Sequence, residues 1–174
     1  MTRTICILFG IAVFFATGQT ASGIDNAHLE RLMKTRKCLM CDLTGVALPG
    51  VDLSGASLNG AQFVIADMSG ANLSSADLTG GNMVGANLSK ARLSGAKLFN
   101  AKLMRADLGG ADLTGAILIR ASLFGADLSG AKLIRANLNH AVVTDANLTG
   151  ADLTGATWVN GRECKEGSIG ECRQ

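Results

Sequence analysis

Cys38-Leu39-Met40-Cys41 places two thiols three residues apart, and Cys164 and Cys172 form a second pair near the other end of the chain. A C-x-x-C pair has the spacing of dithiol redox chemistry, which needs a thiolate of lowered pKa at a helix start within a βαβ unit. No βαβ pattern surrounds this one. Four thiolates could instead hold zinc, provided all four meet within a few ångströms. His28 and His140 are the two histidines; neither has a nucleophile or carboxylate at a catalytic spacing, so both read as ordinary surface residues. Asp67, Asn87, Asp107, Asp127 and Asn147 recur every 20 residues and could offer a cation a ladder of oxygens. Nothing in these groupings requires a catalytic residue, a cofactor or a metal.

The elements that must position these residues are unusual. Aromatics make up 4% of the 174 residues, with no tyrosine, one tryptophan and one proline, while hydrophobic residues reach 48% and glycine numbers 22. A mixed core relies on aromatic bulk, so this chain must pack something narrower and more regular. A mean hydropathy of +0.29 with a formal charge of +2 argues against disorder. Lys+Arg exceed Asp+Glu by only 16 to 14, so no nucleic-acid partner is expected from charge.

Residues 1–4 carry one positive charge, 5–16 are an apolar run, and 17–23 are small and polar, which is the layout of a secretory signal spanning 1–23. The run falls short of the ~20 residues of a membrane span, although an uncleaved anchor is the rival reading. Cleavage is expected near Ala21-Ser22-Gly23, with Gly18 competing. Cys6 lies inside the run, so a lipid-modified mature terminus is not indicated. Losing Arg3 and Cys6 leaves a charge of +2 − 1 = +1 and 5 − 1 = 4 cysteines, an even number that points to disulfides in a periplasmic or secreted chain.

The middle of the chain is a repeat. From Leu43 to Trp158 every fifth residue is apolar, giving 24 units without an insertion, 19 of them Leu. Phe63, Met68, Met83, Val143 and Trp158 are the exceptions. Ala stands two residues earlier in 20 units, and Gly two residues later in 14. On an α-helix five residues advance ~500°, so such leucines would wander over every face. If Ala and Leu both point inward from a short extended segment, the next two residues must turn the chain, and glycine there tolerates positive φ. Four such sides close a square coil of 20 residues, and six coils stacked ~4.8 Å apart make a rod ~29 Å long. Zinc binding by both cysteine pairs fails on that length. The Asp/Asn ladder would be flat and evenly spaced, without convergent oxygens, and its side chains can bond neighbouring backbone instead.

Units such as Ala71-Asn72-Leu73-Ser74-Ser75, Ala126-Asp127-Leu128-Ser129-Gly130 and Ala151-Asp152-Leu153-Thr154-Gly155 resemble the A(D/N)Lxx signature of pentapeptide-repeat proteins over residues 41–160. The resemblance implies an all-β fold, a right-handed quadrilateral β-helix of about six coils. The segments Cys38-Leu39-Met40-Cys41-Asp42-Leu43 and Thr157-Trp158, with Gly167-Ser168-Ile169-Gly170 beyond, also resemble the ends of exported bacterial members. An open solenoid must protect its edges. Within the stretch 24–40, residues 25–37 read as a short capping helix, capped by Asp25 or Asn26, with Leu29, Leu32 and Met33 on the face that covers the first coil. A Cys38–Cys41 disulfide would pin this helix. Trp158 would close the last coil beneath the loop 161–174, tied by Cys164–Cys172 and worth roughly 2–3 kcal/mol.

With inward positions committed to packing, function must lie on the surface. Val64, Val84, Met104 and Phe124 fall 20 apart on one outward column, and Phe99, Ile117 and Ile119 on the adjoining side. Residues 42–89 carry −4, whereas 90–135 carry 8 − 3 = +5. Lys90, Arg105, Arg120 and Arg135 recur every 15 residues, as do the pairs Met104-Arg105, Ile119-Arg120 and Ile134-Arg135, drawing a diagonal stripe. Basic heads beside apolar side chains can meet an acidic protein or an anionic membrane surface. The expectation is a noncatalytic interaction or scaffold module of the cell envelope, with an unspecified protein partner or itself as a homodimer. The alternatives are binding to an anionic surface and, as implied by family members that mimic DNA, protection of gyrase. A mature charge of +1 opposes that last alternative.

Overall fold

The computed structural model describes residues 26–174, so the segment read as an export signal and the candidate cap Asp25 lie outside the described residues. Helix α1, Asn26–Thr35, opens the described chain. It is shorter than the expected 25–37 because Arg36 enters the left-handed region (φ 54) and its N–H donates to the Leu32 carbonyl at 2.8 Å, closing the last turn. Lys37 already bridges to Ser57, so coiling starts ahead of the expected residue 41.

From there the residue before each inward Leu pairs in parallel with the residue 20 positions on. One such column, Lys37, Ser57, Asp77, Lys97, Ile117, Asn137 and Thr157, runs the length of the rod. Two kinds of bond join the coils: the Leu43 N–H donates to the Gln62 carbonyl, and the Gln62 N–H to the Cys41 carbonyl, both at 2.8 Å. Within a unit the Ala66 N–H donates back to the Phe63 carbonyl at 3.1 Å, across a turn whose third residue has positive φ, as a type II turn requires. Each coil therefore has four sides. Side 1 comprises 41–45 and every stretch 20 residues farther on, up to 141–145; sides 2, 3 and 4 start likewise from 46–50, 51–55 and 56–60.

The outward Asp and Asn residues serve these turns. Asp127 Oδ1 accepts the Ser129 N–H at 2.9 Å and Asn87 Oδ1 accepts that of Ser89 at 3.0 Å. Pro49 occupies the donor position of this bond in its own unit, where residue 47 is alanine and offers no acceptor. Inside, the Ala and Leu columns are sealed from solvent over most of the rod. Removing one such Leu side chain would forfeit about 2–5 kcal/mol. Gly81 stands in an Ala position: a Cβ there would sit 3.5 Å from Met83 Cε, so the longer Met83 occupies the space of the missing methyl.

The ends close differently. Leu29 and Leu32 of α1 join the core, and the Asp42 N–H donates to His28 Nδ1 at 3.2 Å, so this histidine fastens the helix to the first coil. Met33, expected on the same face, is 38% exposed. The narrow bore admits only a stripe centred between Leu29 and Leu32, and Met33 falls beyond its edge. Cys38 is paired with Cys41 (Cα–Cα 5.3 Å) and Cys164 with Cys172 (5.0 Å).

The segment 161–174 does more than the expected loop. It runs back antiparallel to the last coil, bridging Asp152 with Ile169 and Thr157 with Glu163. Its carbonyls accept the N–H groups of Leu153, Gly155 and Trp158, and its N–H groups serve the carbonyls of Ala151 and Ala156, as a further coil would on sides 3 and 4. On sides 1 and 2 of that coil, no backbone partner among the described residues meets the N–H groups of Val143, Asp145, Leu148 and Gly150. Val143, Ala146 and Leu148 are correspondingly only half-buried, and Trp158 is itself partly buried against the core.

Candidate functional site

The outward residues of sides 1 and 4 gather the apolar side chains that the repeat would otherwise fill with polar ones. On side 1, backbone bonds lock Val64, Val84, Met104 and Phe124 into one column: Ile65 N–H to the Val84 carbonyl (3.0 Å), Gly85 to Met104 (3.0 Å) and Arg105 to Phe124 (2.9 Å). Met104 and Phe124 are exposed, whereas Val64 and Val84 are half-buried. On side 4, Phe99 and Ile119 stack through the Asn100 N–H and the Ile119 carbonyl at 3.0 Å, with Ile117 exposed beside them.

Four further residues belong here although periodicity did not single them out: Val142 at the end of side 1, Leu39 on side 4, Met40 at the corner between sides 4 and 1, and Ile65 at the corner between sides 1 and 2. Ile65 is 67% exposed and has φ 52. A β-branched residue strongly disfavours that conformation, so glycine would be the ordinary occupant. Its type and place in the turn were visible in the sequence, as an Ile where Gly usually stands. A Cβ placed on Gly85 would lie 3.5 Å from Ile65 Cγ2, and one on Gly125 3.6 Å from Arg105 Cγ. Corner side chains thus lie flat along the rod, over the glycine one coil farther on.

The basic stripe does not form one face. Lys90, Arg105, Arg120 and Arg135 occupy four different corners, all at positive φ between 54 and 58, so they wind once round the rod. A 15-residue step in a 20-residue coil moves back one corner each time. Arg105 and Arg120 flank side 1; Ile134 lies on side 3, opposite it, and Arg135 on the corner between sides 3 and 4. The Ile134-Arg135 pair is therefore not brought together with the side 1 column.

The remaining chemistry-bearing residues serve structure. Cys38 and Cys41 are 0% and 1% exposed, closed to an attacking thiolate, and the second pair lies at the far end of the rod. Asp127 accepts the backbone N–H and hydroxyl of Ser129, and also the Asn147 amide at 3.0 Å, which holds its carboxyl below the usual carboxylate range. Asp52 and Asp152 are lowered in the same way by Ser54 and Thr154. His140 is an exposed corner residue with φ 59. A groove of about 510 Å³ beside the returning segment is lined by two cations, Arg135 and Lys165, and two anions, Glu163 and Glu166.

A parallel solenoid with five-residue sides and a packed bore, covered by a helix at one end and a returning segment at the other, defines a repeat scaffold whose variation is concentrated on its outward positions. The chain belongs to the pentapeptide repeat family: the family model "Pentapeptide repeats" matches in 8 copies over residues 41–74, 66–103, 101–139 and 121–157. Proteins of this family adopt a right-handed quadrilateral β-helix and are in general noncatalytic structural or interaction modules. Among solved structures, the chain is similar to Rfr23, a pentapeptide repeat protein from the cyanobacterium Cyanothece 51142, with 29% identity over 76% of this chain and 97% of that one (TM-score 0.38). It is also similar to HetL from Nostoc sp. strain PCC 7120, involved in heterocyst differentiation regulation, with 33% identity over 73% and 76% (TM-score 0.23). A third is QnrB1, a plasmid-mediated fluoroquinolone resistance protein, with 23% identity over 69% and 66% (TM-score 0.39). No curated protein matches the chain.

Proposed function

We propose that this protein is a noncatalytic interaction module of the cell envelope, exported by the signal read in residues 1–23 and binding a protein partner through the apolar surface of side 1 and its border with side 4. The observation that carries this reading is the column Val64, Val84, Met104 and Phe124, continued by Ile65 and Val142, on a solenoid whose outward positions are mostly polar. Arg105 and Arg120 at the flanking corners give the rim a positive charge, which favours an acidic or neutral partner surface. Mimicry of DNA against gyrase is disfavoured by the +5 carried by residues 90–135 and the mature charge of +1. The test is affinity capture from the envelope fraction with the mature chain and with a Met104→Asp, Phe124→Asp variant. Loss of the captured partner at unchanged circular dichroism supports the reading, and retention of the partner by the variant refutes it.

A further inference from the structure

Side 1 carries a pattern of size and charge that is complementary to itself turned end for end. We propose that it is the interface of a homodimer in which two rods lie side by side and antiparallel. The two-fold axis lies in the interface plane, midway between the levels of Val84 and Met104. This rests on the reading of side 1 above and deepens it by naming the partner, a second copy of the chain.

Under that rotation each level of side 1 meets the level equally far from the opposite end. Val64 then faces Phe124 of the other copy and Val84 faces Met104, a small side chain against a large one in both pairs. At one flanking corner Asn100 faces Gly80, over which no side chain lies within 4 Å. Gly85 and Gly125 are already covered by Ile65 and Arg105 of their own rod, and Gly60 by Met40, so the size match rests on the two pairs of the column. An isologous contact needs such self-complementarity, and a column of random outward residues does not supply it.

Charge selects the same orientation. Lys102 and Arg105 of side 1, and Arg120 at its flanking corner, all belong to the second half of the rod, and the positions they face in the first half, Asn82, Gly85 and Gly60, carry no charge. A parallel dimer, with its two-fold axis along the rods, would instead lay the basic half of each copy against the basic half of the other, adding like-charge repulsion. Across the whole rods, the antiparallel arrangement places the segment 42–89, with its −4, beside the +5 of 90–135, twice.

Sedimentation equilibrium of the mature chain, residues 24–174, over micromolar concentrations is expected to give twice the monomer mass. Val64→Lys and Phe124→Glu should each weaken the dimer by at least about tenfold, as central contacts do. Combined in one chain, they should restore it, because the introduced ammonium faces the introduced carboxylate across the axis. Within one rod the two positions are three coils, or ~14 Å, apart and cannot pair. A double variant that stays monomeric while both single variants fold normally by circular dichroism overturns the antiparallel geometry. A monomeric wild type overturns the dimer; if that monomer binds an apolar fluorescent dye that Met104→Asp with Phe124→Asp abolishes, the reading of side 1 as an exposed sticky face survives alone. A dimer insensitive to both single substitutions overturns the two readings together.

Discussion

Replacing Ile65 by glycine should stabilise the isolated rod while loosening its self-association, two effects of opposite sign from one substitution. Ile65 holds φ 52 at a corner where 14 equivalent positions are glycine. Strain of this kind costs of order 1–3 kcal/mol, toward the upper end for a β-branched side chain. Against its relief stand roughly 0.4–1 kcal/mol for the greater unfolded-state freedom of glycine. A third of an isoleucine's burial, about 0.7 kcal/mol, is also lost. The balance favours Ile65→Gly by about 1 kcal/mol, a rise in melting temperature of roughly 2–4 °C for a chain of this size. The assay is thermal unfolding by circular dichroism at a concentration low enough to keep the chain monomeric. Gly70→Ile is the control, since a Cβ at Gly70 meets nothing within 4 Å and the change isolates backbone strain; it should lower the midpoint. In sedimentation, Ile65→Gly should weaken the dimer several-fold by removing an exposed apolar side chain beside the side 1 column. A lower midpoint for monomeric Ile65→Gly would show that packing, not surface function, holds Ile65 in place and would refute this reasoning.

Other outcomes follow from the same geometry. Leu98→Ala, in the middle of the bore, should cost about 2–5 kcal/mol in urea unfolding, whereas Asp127→Ala, which strips an acceptor from Ser129 and Asn147, should cost about 1 kcal/mol. The carboxyls of Asp52, Asp127 and Asp152 are depressed in the folded state, so their stabilisation is fully present above the ordinary value near 3.8 and lost as pH falls through the lower folded values. Urea midpoints should therefore hold steady from neutrality to about pH 4.5 and drop below it, and a midpoint unchanged at pH 2.5 contradicts the turn role of these residues. Amide exchange should be fast at Val143, Asp145, Leu148 and Gly150 and slow at Leu153, Gly155 and Trp158, although all belong to one coil; uniform protection contradicts the half-closed end. Mass spectrometry of the chain from residue 24 onward should show a gain of four hydrogens on reduction, and a mass unchanged by reductant would show four free thiols.

The bore was legible in the sequence because packing there tolerates almost no variation. Leu at every fifth position and Ala two before it satisfy one geometric demand, and a single insertion would break the register. The lateral column was legible for the same reason, since a period of 20 places Val64, Val84, Met104 and Phe124 together without further information. What escaped notice depended on contacts the period does not encode. The exposure of Met33 is set by how narrow a stripe of α1 the bore accepts, and the half-closed last coil by how far the segment 161–174 reaches round it. The spread of Lys90, Arg105, Arg120 and Arg135 over four corners was implicit in the 15-residue spacing. That spacing steps back one side per coil, so the stripe winds away from side 1 and its four cations face four directions. Ile65 could have been found by asking which turn positions lacked glycine, a question of backbone conformation more than of hydrophobicity.

Small-angle X-ray scattering of the chain from residue 24 onward tests the central claim most directly, because length and cross-section report separately on the solenoid and on its lateral pairing. Six coil steps fix the repeat at ~29 Å before the caps are added. Two rods side by side should keep that length and double the mass per unit length relative to the Val64→Lys variant. A wild-type particle twice as long at the same cross-section, or one identical to the variant, contradicts it.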